Sequence, residues 1–545
     1  MRHSWNGLWG LTQLSVAASL LWGQSSLYVV YFQPKPDSLL PYVETYLSPK
    51  AIERRQRQGI PVDERDLPIP SAWVAELGKS GQVLGVSRWL NAALLQVQSV
   101  SSLPQASFIR CVEPFSWVPP PKKPTPTFSG AATHEIPLSE EDSPKALAST
   151  YTQLNMLHIP DLHQNNLYGR GIRIAILDAG FPGMNQIPAF QHVFTQGRFI
   201  AGYDFVSGDS VVFDDNSHGT MVASVILAQD SASNYAGGAP EVEVILARTE
   251  DALSETRREE WNWARAAEWA DSLGAYIIQS SLGYSTFDDP NENYTYANMN
   301  GRTAITTQAA RMAAQKGLLV VSSAGNEGSS PWRYITAPAD ADSILAVGAV
   351  DANGQITFFS SRGPTADGRI KPDVVAMGQG VQIIRPGGAV AGSAGTSFSA
   401  PLITSLAACL WQARPDLPAQ TLRKIILESA NRHANPDTNY GYGLPNGALA
   451  WSRLTTLALS SPPRTLRLFP NPTAENLTLL LSDTTLGWYH LTICDEMGRQ
   501  VYAAPYRGLT LLTIPTASWP SGLYWVNLTH HQNPKQSFQA PFIKL

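Results

Sequence analysis

The stretch that most limits how this chain can fold is Gly395-Thr396-Ser397-Phe398-Ser399-Ala400-Pro401. A run of small residues, Gly387 to Ala394, precedes it, and the apolar run Leu402 to Trp411 follows. A bend of small residues opening into a helix presents a hydroxyl at the helix N-terminus. There the free backbone N–H groups and the positive end of the dipole favour a developing negative charge. Taken alone, Thr396 or Ser397 reads more plainly as an N-cap. Two other stretches change the balance. Ile172 to Leu177 (IRIAIL) ends on Asp178-Ala179-Gly180, the pattern of a buried parallel strand with an acid at its carboxyl end. Ser217-His218-Gly219-Thr220 opens the helical run MVASVILA. Each is structural by itself; together they place Asp, His and Ser in that order, each at the edge of an element. A serine hydroxyl is a poor nucleophile until a base takes its proton, and the base needs an acid to hold its tautomer.

The segments ILDAGF, SHGTMVAS, SSAGNEG and GTSFSAP resemble the four motifs of the subtilisin-like serine peptidases (subtilases), and the order Asp, His, Ser is that family's. The resemblance implies Asp178 as orienting acid, His218 as general base and Ser397 as nucleophile. It implies Asn326, in Ala324-Gly325-Asn326, as the side-chain donor of the oxyanion hole, with the Ser397 N–H as second donor. Alone, Asn326 is a turn residue. Phe398 and Ser399 stand where the family often has methionine and alanine, and Met221 where histidine is common; none of these removes a catalytic atom. Ser280-Ser281-Leu282-Gly283, after an expected strand 275–278, resembles the segment that binds substrate backbone as an added strand and lines the P1 pocket. A plain strand end is the alternative. The glycine lets a peptide approach closely.

In chain order, residues 1–24 carry Arg2 and His3 and then a short apolar stretch, the pattern of a secretory signal, with an uncleaved anchor as the alternative. Residues 25–117 are expected to form a small α+β domain, with strands at 27–32, 82–87 and 92–98 and helices at 48–58 and 71–79 on one sheet face. Its position and the stretch SPKAIERRQRQGIPVDERDLP resemble a subtilase propeptide, which implies a folding aid and temporary inhibitor. An N-terminal binding module is the other reading. Residues 118–144, with VPPPKKPTPTFSG, read as an exposed linker. Residues 145–456 alternate strand and helix, an α/β pattern: a subtilisin-like parallel sheet with helices on both faces and sites at the strands' carboxyl ends. A second linker spans 457–463. Residues 464–545 hold short strand candidates at 466–469, 476–481, 489–493, 510–514, 523–528 and 538–543, and read as a β-sandwich of about seven strands. There LFPNPTAENLTL, ICDEMGRQV and WPSGLYWVNL resemble the C-terminal sorting domain of the type IX secretion system. That implies a secreted or cell-surface protein; a carbohydrate- or protein-binding sandwich is the alternative.

The net charge of −5 over 545 residues argues against a nucleic-acid partner. Cys111, Cys409 and Cys494 are odd in number and far apart, which supports neither a disulfide framework nor a cysteine metal site. The Asp and Asn residues of the loop Phe287 to Arg302 could hold calcium but lack the spacing of a recognised calcium loop; no cofactor is expected to be required, with calcium as the alternative. The combined expectation is a secreted serine endopeptidase made as a zymogen, with polypeptide substrates, its own propeptide as inhibitor and the type IX machinery as partner. The rival from another class is a subtilase-fold adhesin or scaffold without catalysis, against which all four catalytic side chains argue.

Overall fold

The computed structural model describes residues 26–36, 46–102, 104–115, 149–459, 465–482, 488–507, 512–531 and 537–545. The expected signal at 1–24 and linker at 118–144 lie outside the described residues. Seven strands form the central sheet, in the order Val374–Met377, Leu345–Val350, Leu319–Ser323, Ile277–Ser280, Arg173–Asp178, Glu243–Arg248 and Phe199–Asp204, with every pairing parallel. Alternate residues of each strand face opposite sides. Ile174, Ile176, Val244 and Leu246 belong to the core on the face covered by the helices His218–Leu227 and Thr396–Ala413, the first lying over Arg173–Asp178 and the second over the four strands from Ile277–Ser280 to Val374–Met377. Ala175, Leu177, Ile245 and Ala247 face the helices Arg257–Ser272 and Ile305–Gln315. The small alanines on that side leave room for the buried Trp261 and Trp263. This is the expected parallel sheet covered on both faces. The strand Phe199–Asp204 was not anticipated: it is a half-buried edge strand with a glycine in its middle, so its apolar pattern is weak.

The N-terminal domain is a four-stranded antiparallel sheet, ordered Gln82–Ser87, Ala92–Val97, Ser26–Phe32 and Ile109–Phe115. The strand LYVVYF is apolar on both faces because both are covered. Tyr28, Val30 and Phe32 pack with Ile69 and Leu77 inside the domain. Leu27, Val29, Leu94 and Phe115 join the core that holds Trp261 and Trp263 of the central domain. The helix Ser71–Leu77 belongs to the first layer. The helix Pro49–Gln58 departs from expectation: it docks on the central domain through buried charges. Arg54 and Arg55 each donate to Asp271 at 2.5 Å, and Arg55 also to Asp66 at 2.7 Å. Lys316 Nζ donates to Asp63 and Asp66, both at 2.7 Å, and its carbonyl accepts from Arg54 at 2.8 Å. Glu268 accepts from Ser87 Oγ and, at 2.9 Å, from the backbone N–H of Arg88.

The helix Gly447–Leu459 runs past the expected boundary at 456, since LTTLAL contains no breaker before Ser460. Beyond it lie two antiparallel sheets. One holds Thr465–Phe469, Asn476–Ser482 and Leu512–Pro515. The other holds Gln500–Arg507, Trp488–Asp495, Gly522–His530 and Ser537–Lys544. Leu477, Leu479 and Leu481 meet Leu491, Ile493, Val526 and Leu528 in a separate core. The strand Gln500–Arg507 is the one the sequence pattern hides: Pro505 sits in it, which an edge position tolerates.

Asp271 is fully buried and holds two buried guanidinium groups. Asp271→Ala should therefore destabilise the full chain by about 3–5 kcal/mol, the loss typical when a buried pair is broken from one side. Denaturant titration of the uncleaved chain measures it. A loss below about 1 kcal/mol would show that the two arginines find other partners.

Candidate active site

The helix Thr396–Ala413 is buried from Thr396 through Trp411. Gly395 caps it at φ 149°, ψ 151°, a conformation open to glycine but strained for other residues. Ser397 follows in the first turn, 3% exposed. Pro401, one turn on, lacks the N–H that would bond the Ser397 carbonyl. Ser281 Oγ supplies that donor at 2.7 Å, and Ser397 Oγ donates to the Ser281 carbonyl at 3.3 Å. The helix Thr396–Ala413 and the segment after the strand Ile277–Ser280 are thus tied in both directions.

Asp178 ends the strand Arg173–Asp178 and is fully buried. Its Oδ1 accepts from the Ala179 N–H at 2.8 Å and lies 2.8 Å from His218 Nδ1. His218 begins the helix His218–Leu227, and its backbone N–H donates to Asn216 Oδ1 at 2.8 Å. Its Nε2 is buried without a hydrogen-bond partner, and its ring lies 6.1 Å from that of Phe398, next to Ser397. Burial, the largest influence on His218, disfavours its charged form. The Asp178 charge and hydrogen bond, with a further contribution from Glu250, outweigh it and hold the imidazole pKa above its ordinary value.

Asn326 follows the strand Leu319–Ser323. Its Oδ1 accepts from the Thr396 N–H and the Thr396 hydroxyl, both at 2.9 Å, which turns Nδ2 the other way. A Cβ added to Gly395 would lie 3.7 Å from both Asn326 Nδ2 and Ser397 N. The two donors therefore face one space, kept open by the glycine. Donors fixed in this way around a nucleophile stabilise an oxyanion without reorganising.

Of the substrate-edge residues, Ser281 touches the nucleophile as described, Leu282 is half-buried and Gly283 is exposed. Ser280 is corrected: it is paired on both sides within the sheet, and its hydroxyl accepts from Trp263 Nε1 at 2.9 Å inside the core. Two supports were missed. Glu250, just past the carboxyl end of a strand, is buried and accepts from Tyr284 OH at 2.6 Å and Thr249 Oγ1 at 2.7 Å. Its place at a strand end is the same signal that marks Asp178. Arg248 pairs with Asp204 at 2.7 Å and Asp215 at 2.8 Å, pinning the loop that carries Asn216 to His218. The Asp and Asn side chains of 287–302 cap their own turns: Asp289 accepts from Asn291 N at 2.9 Å, Asn293 from Phe287 N at 2.6 Å and Asn298 from Thr295 N at 2.8 Å.

Comparison with known proteins places each region. Residues 169–443 match the subtilase family, residues 27–127 the peptidase S8 propeptide domain of Bacteroidota, and residues 467–539 the secretion system C-terminal sorting domain. Subtilisin DY of Bacillus licheniformis is 31% identical over 280 residues, 51% of this chain and 90% of that protein. Subtilisin BL of Lederbergia lenta is 29% identical over 300 residues, 54% of this chain and 97% of the other. Alkaline elastase YaB of Bacillus sp. (strain YaB) is 29% identical over 301 residues, 54% and 69% of the two chains. With the Asp178–His218 pair and the donors around Gly395 already in place, these matches lead to one conclusion: the chain belongs to the subtilase family, as a secreted or cell-surface serine endopeptidase with a propeptide domain before its catalytic domain and a sorting domain after it.

Proposed function

We propose that Ser397 attacks the scissile carbonyl while His218 Nε2 takes its proton, with Asp178 holding the imidazole tautomer. Rotation of the Ser397 side chain away from the Ser281 carbonyl brings Oγ to Nε2. Asn326 Nδ2 and the Ser397 N–H receive the oxyanion, His218 protonates the leaving amine, and water releases the acyl group. The observation that carries this reading is the convergence of two fixed donors above Gly395, beside the serine. No metal enters these steps. The N-terminal domain acts as inhibitor until the 118–144 segment is cut; its sealed sheet face and buried ion pairs support this. The C-terminal domain, with its own core, directs export by the type IX machinery.

A fluorophosphonate probe should label the matured enzyme and not the Ser397→Ala variant, whose kcat should fall by about 10⁶. Asn326→Ala should cost about 10²–10³ in kcat, the usual loss for one such donor. A chain that never labels would instead favour the adhesin or scaffold reading.

His218 works as base only when neutral, and its pKa is raised. Activity should therefore fall as pH drops through a value above the ordinary ~6.5 of histidine. A profile of kcat/KM against pH measures it. An acid limb below 6 would mean that Asp178 does not charge-stabilise the imidazolium.

Deleting 464–545 should leave kcat/KM near that of the intact enzyme, because the two cores share no residue. In a host with a type IX system the same deletion should hold the enzyme in the periplasm. Normal export of the truncated form would make the last domain an accessory binding module.

A further inference from the structure

Gln279 is fully buried in the strand Ile277–Ser280, paired to Ile176 on one side and Val321 on the other. A polar amide inside a parallel sheet is costly unless its groups are paired. Side chains two apart on a strand share a face, so Gln279 points with Ser281 toward the helix Thr396–Ala413, while Ser280 points to Trp263. On that helix Thr404, also fully buried, lies two turns after Ser397. The four residues form one chain of hydrogen bonds. Thr404 Oγ1 donates to Gln279 Oε1 at 2.5 Å, Gln279 Nε2 donates to Ser281 Oγ at 2.8 Å, and Ser281 Oγ donates to the Ser397 carbonyl at 2.7 Å. The direction of the chain is fixed at its far end. Pro401 has no N–H for the Ser397 carbonyl, so that buried oxygen takes the Ser281 proton. With its one proton committed, the Ser281 hydroxyl can only accept from Gln279, which presents Nε2 and leaves Oε1 for Thr404. Turning the amide over would set Oε1 against Ser281, draw its proton away and leave the Ser397 carbonyl buried and unpaired.

We propose that Gln279 is a positioning residue for Ser397, itself held by Thr404: the amide sets the direction of the Ser281 hydroxyl, and that hydroxyl fixes the backbone from which Ser397 Oγ projects. This rests on the reading of Ser397 as nucleophile. Gln279 acts through Ser281 alone. Without the amide, the Ser281 hydroxyl is free to rotate and the Ser397 carbonyl loses its donor. The first turn of the helix, already one bond short at Pro401, then loosens where attack requires a fixed geometry.

The test uses the matured full-length enzyme, with kcat and KM measured on one peptide p-nitroanilide and the rate of fluorophosphonate labelling measured beside them. Gln279→Leu should lower kcat by about 10–100-fold, the scale of a small misplacement of a reacting group, with KM held within about twofold. Ser281→Ala removes the link, so adding Gln279→Leu to it should cost nothing further: in a double-mutant cycle the two losses do not multiply. Thr404→Val should lower kcat in the same direction by a smaller factor, and Thr404→Ser, which keeps the hydroxyl, should restore it. An unchanged kcat in Gln279→Leu, with or without a raised KM, would overturn the proposal, as would losses that multiply in the cycle. Equal kcat in Thr404→Val and Thr404→Ser would overturn the part given to Thr404. If Gln279→Leu does not fold, the cycle of Thr404→Val with Ser281→Ala decides in its place. A wild-type enzyme that neither labels nor cleaves overturns the nucleophile itself, whereas a labelled enzyme whose losses multiply overturns only the positioning role.

Discussion

The site depends on one constraint: the Thr396–Ala413 helix is buried along nearly its whole length. A buried helix cannot slide or tilt without opening cavities against the sheet, so its N-terminus is a fixed point. Three groups then take their positions from that end. Thr396 grips Asn326 by backbone and hydroxyl, Ser397 is locked to Ser281, and the ring of Phe398 lies by that of His218. Pro401 belongs to the same device. By removing one intrahelical bond it frees the Ser397 carbonyl for Ser281, so an apparent defect in the helix becomes the tie to the substrate edge.

Buried charge is used in two ways. At the site, Asp178 is shut away from water and its side-chain partner is His218, so its field acts on the imidazole with little screening. At the seam with the N-terminal domain, Arg54, Arg55 and Lys316 pair with Asp271, Asp66 and Asp63. Such a set adds little net stability over apolar packing, but it fixes one docking register and rejects a slipped one.

The Asp178–His218 pair and the serine at the head of a buried helix were legible in the sequence because the proposed chemistry demands particular residue types at element edges. Asp178 after IRIAIL, His218 before MVASVILA and Ser397 after a small-residue run each carry that signal. Which serine faces Ser397 was not. Ser280 and Ser281 are adjacent and chemically identical, and one step along the chain turns the hydroxyl from Trp263 to Ser397. Nor was the role of SPKAIERRQRQ. It reads as a helix on one sheet face of the small domain, while the carboxylate that buries its arginines, Asp271, lies more than two hundred residues away. Pairing at that separation leaves no local pattern. Glu250 was invisible for a related reason: its partner Tyr284 comes from a segment more than thirty residues away.

The strand Ser26–Phe32 has apolar side chains on both faces, and only one face is covered by its own domain. Apart from the central domain, the small sheet would turn Leu27, Val29, Leu94 and Phe115 toward water. Part of what holds that sheet together therefore belongs to its neighbour, and the small domain is a weaker fold alone than in place.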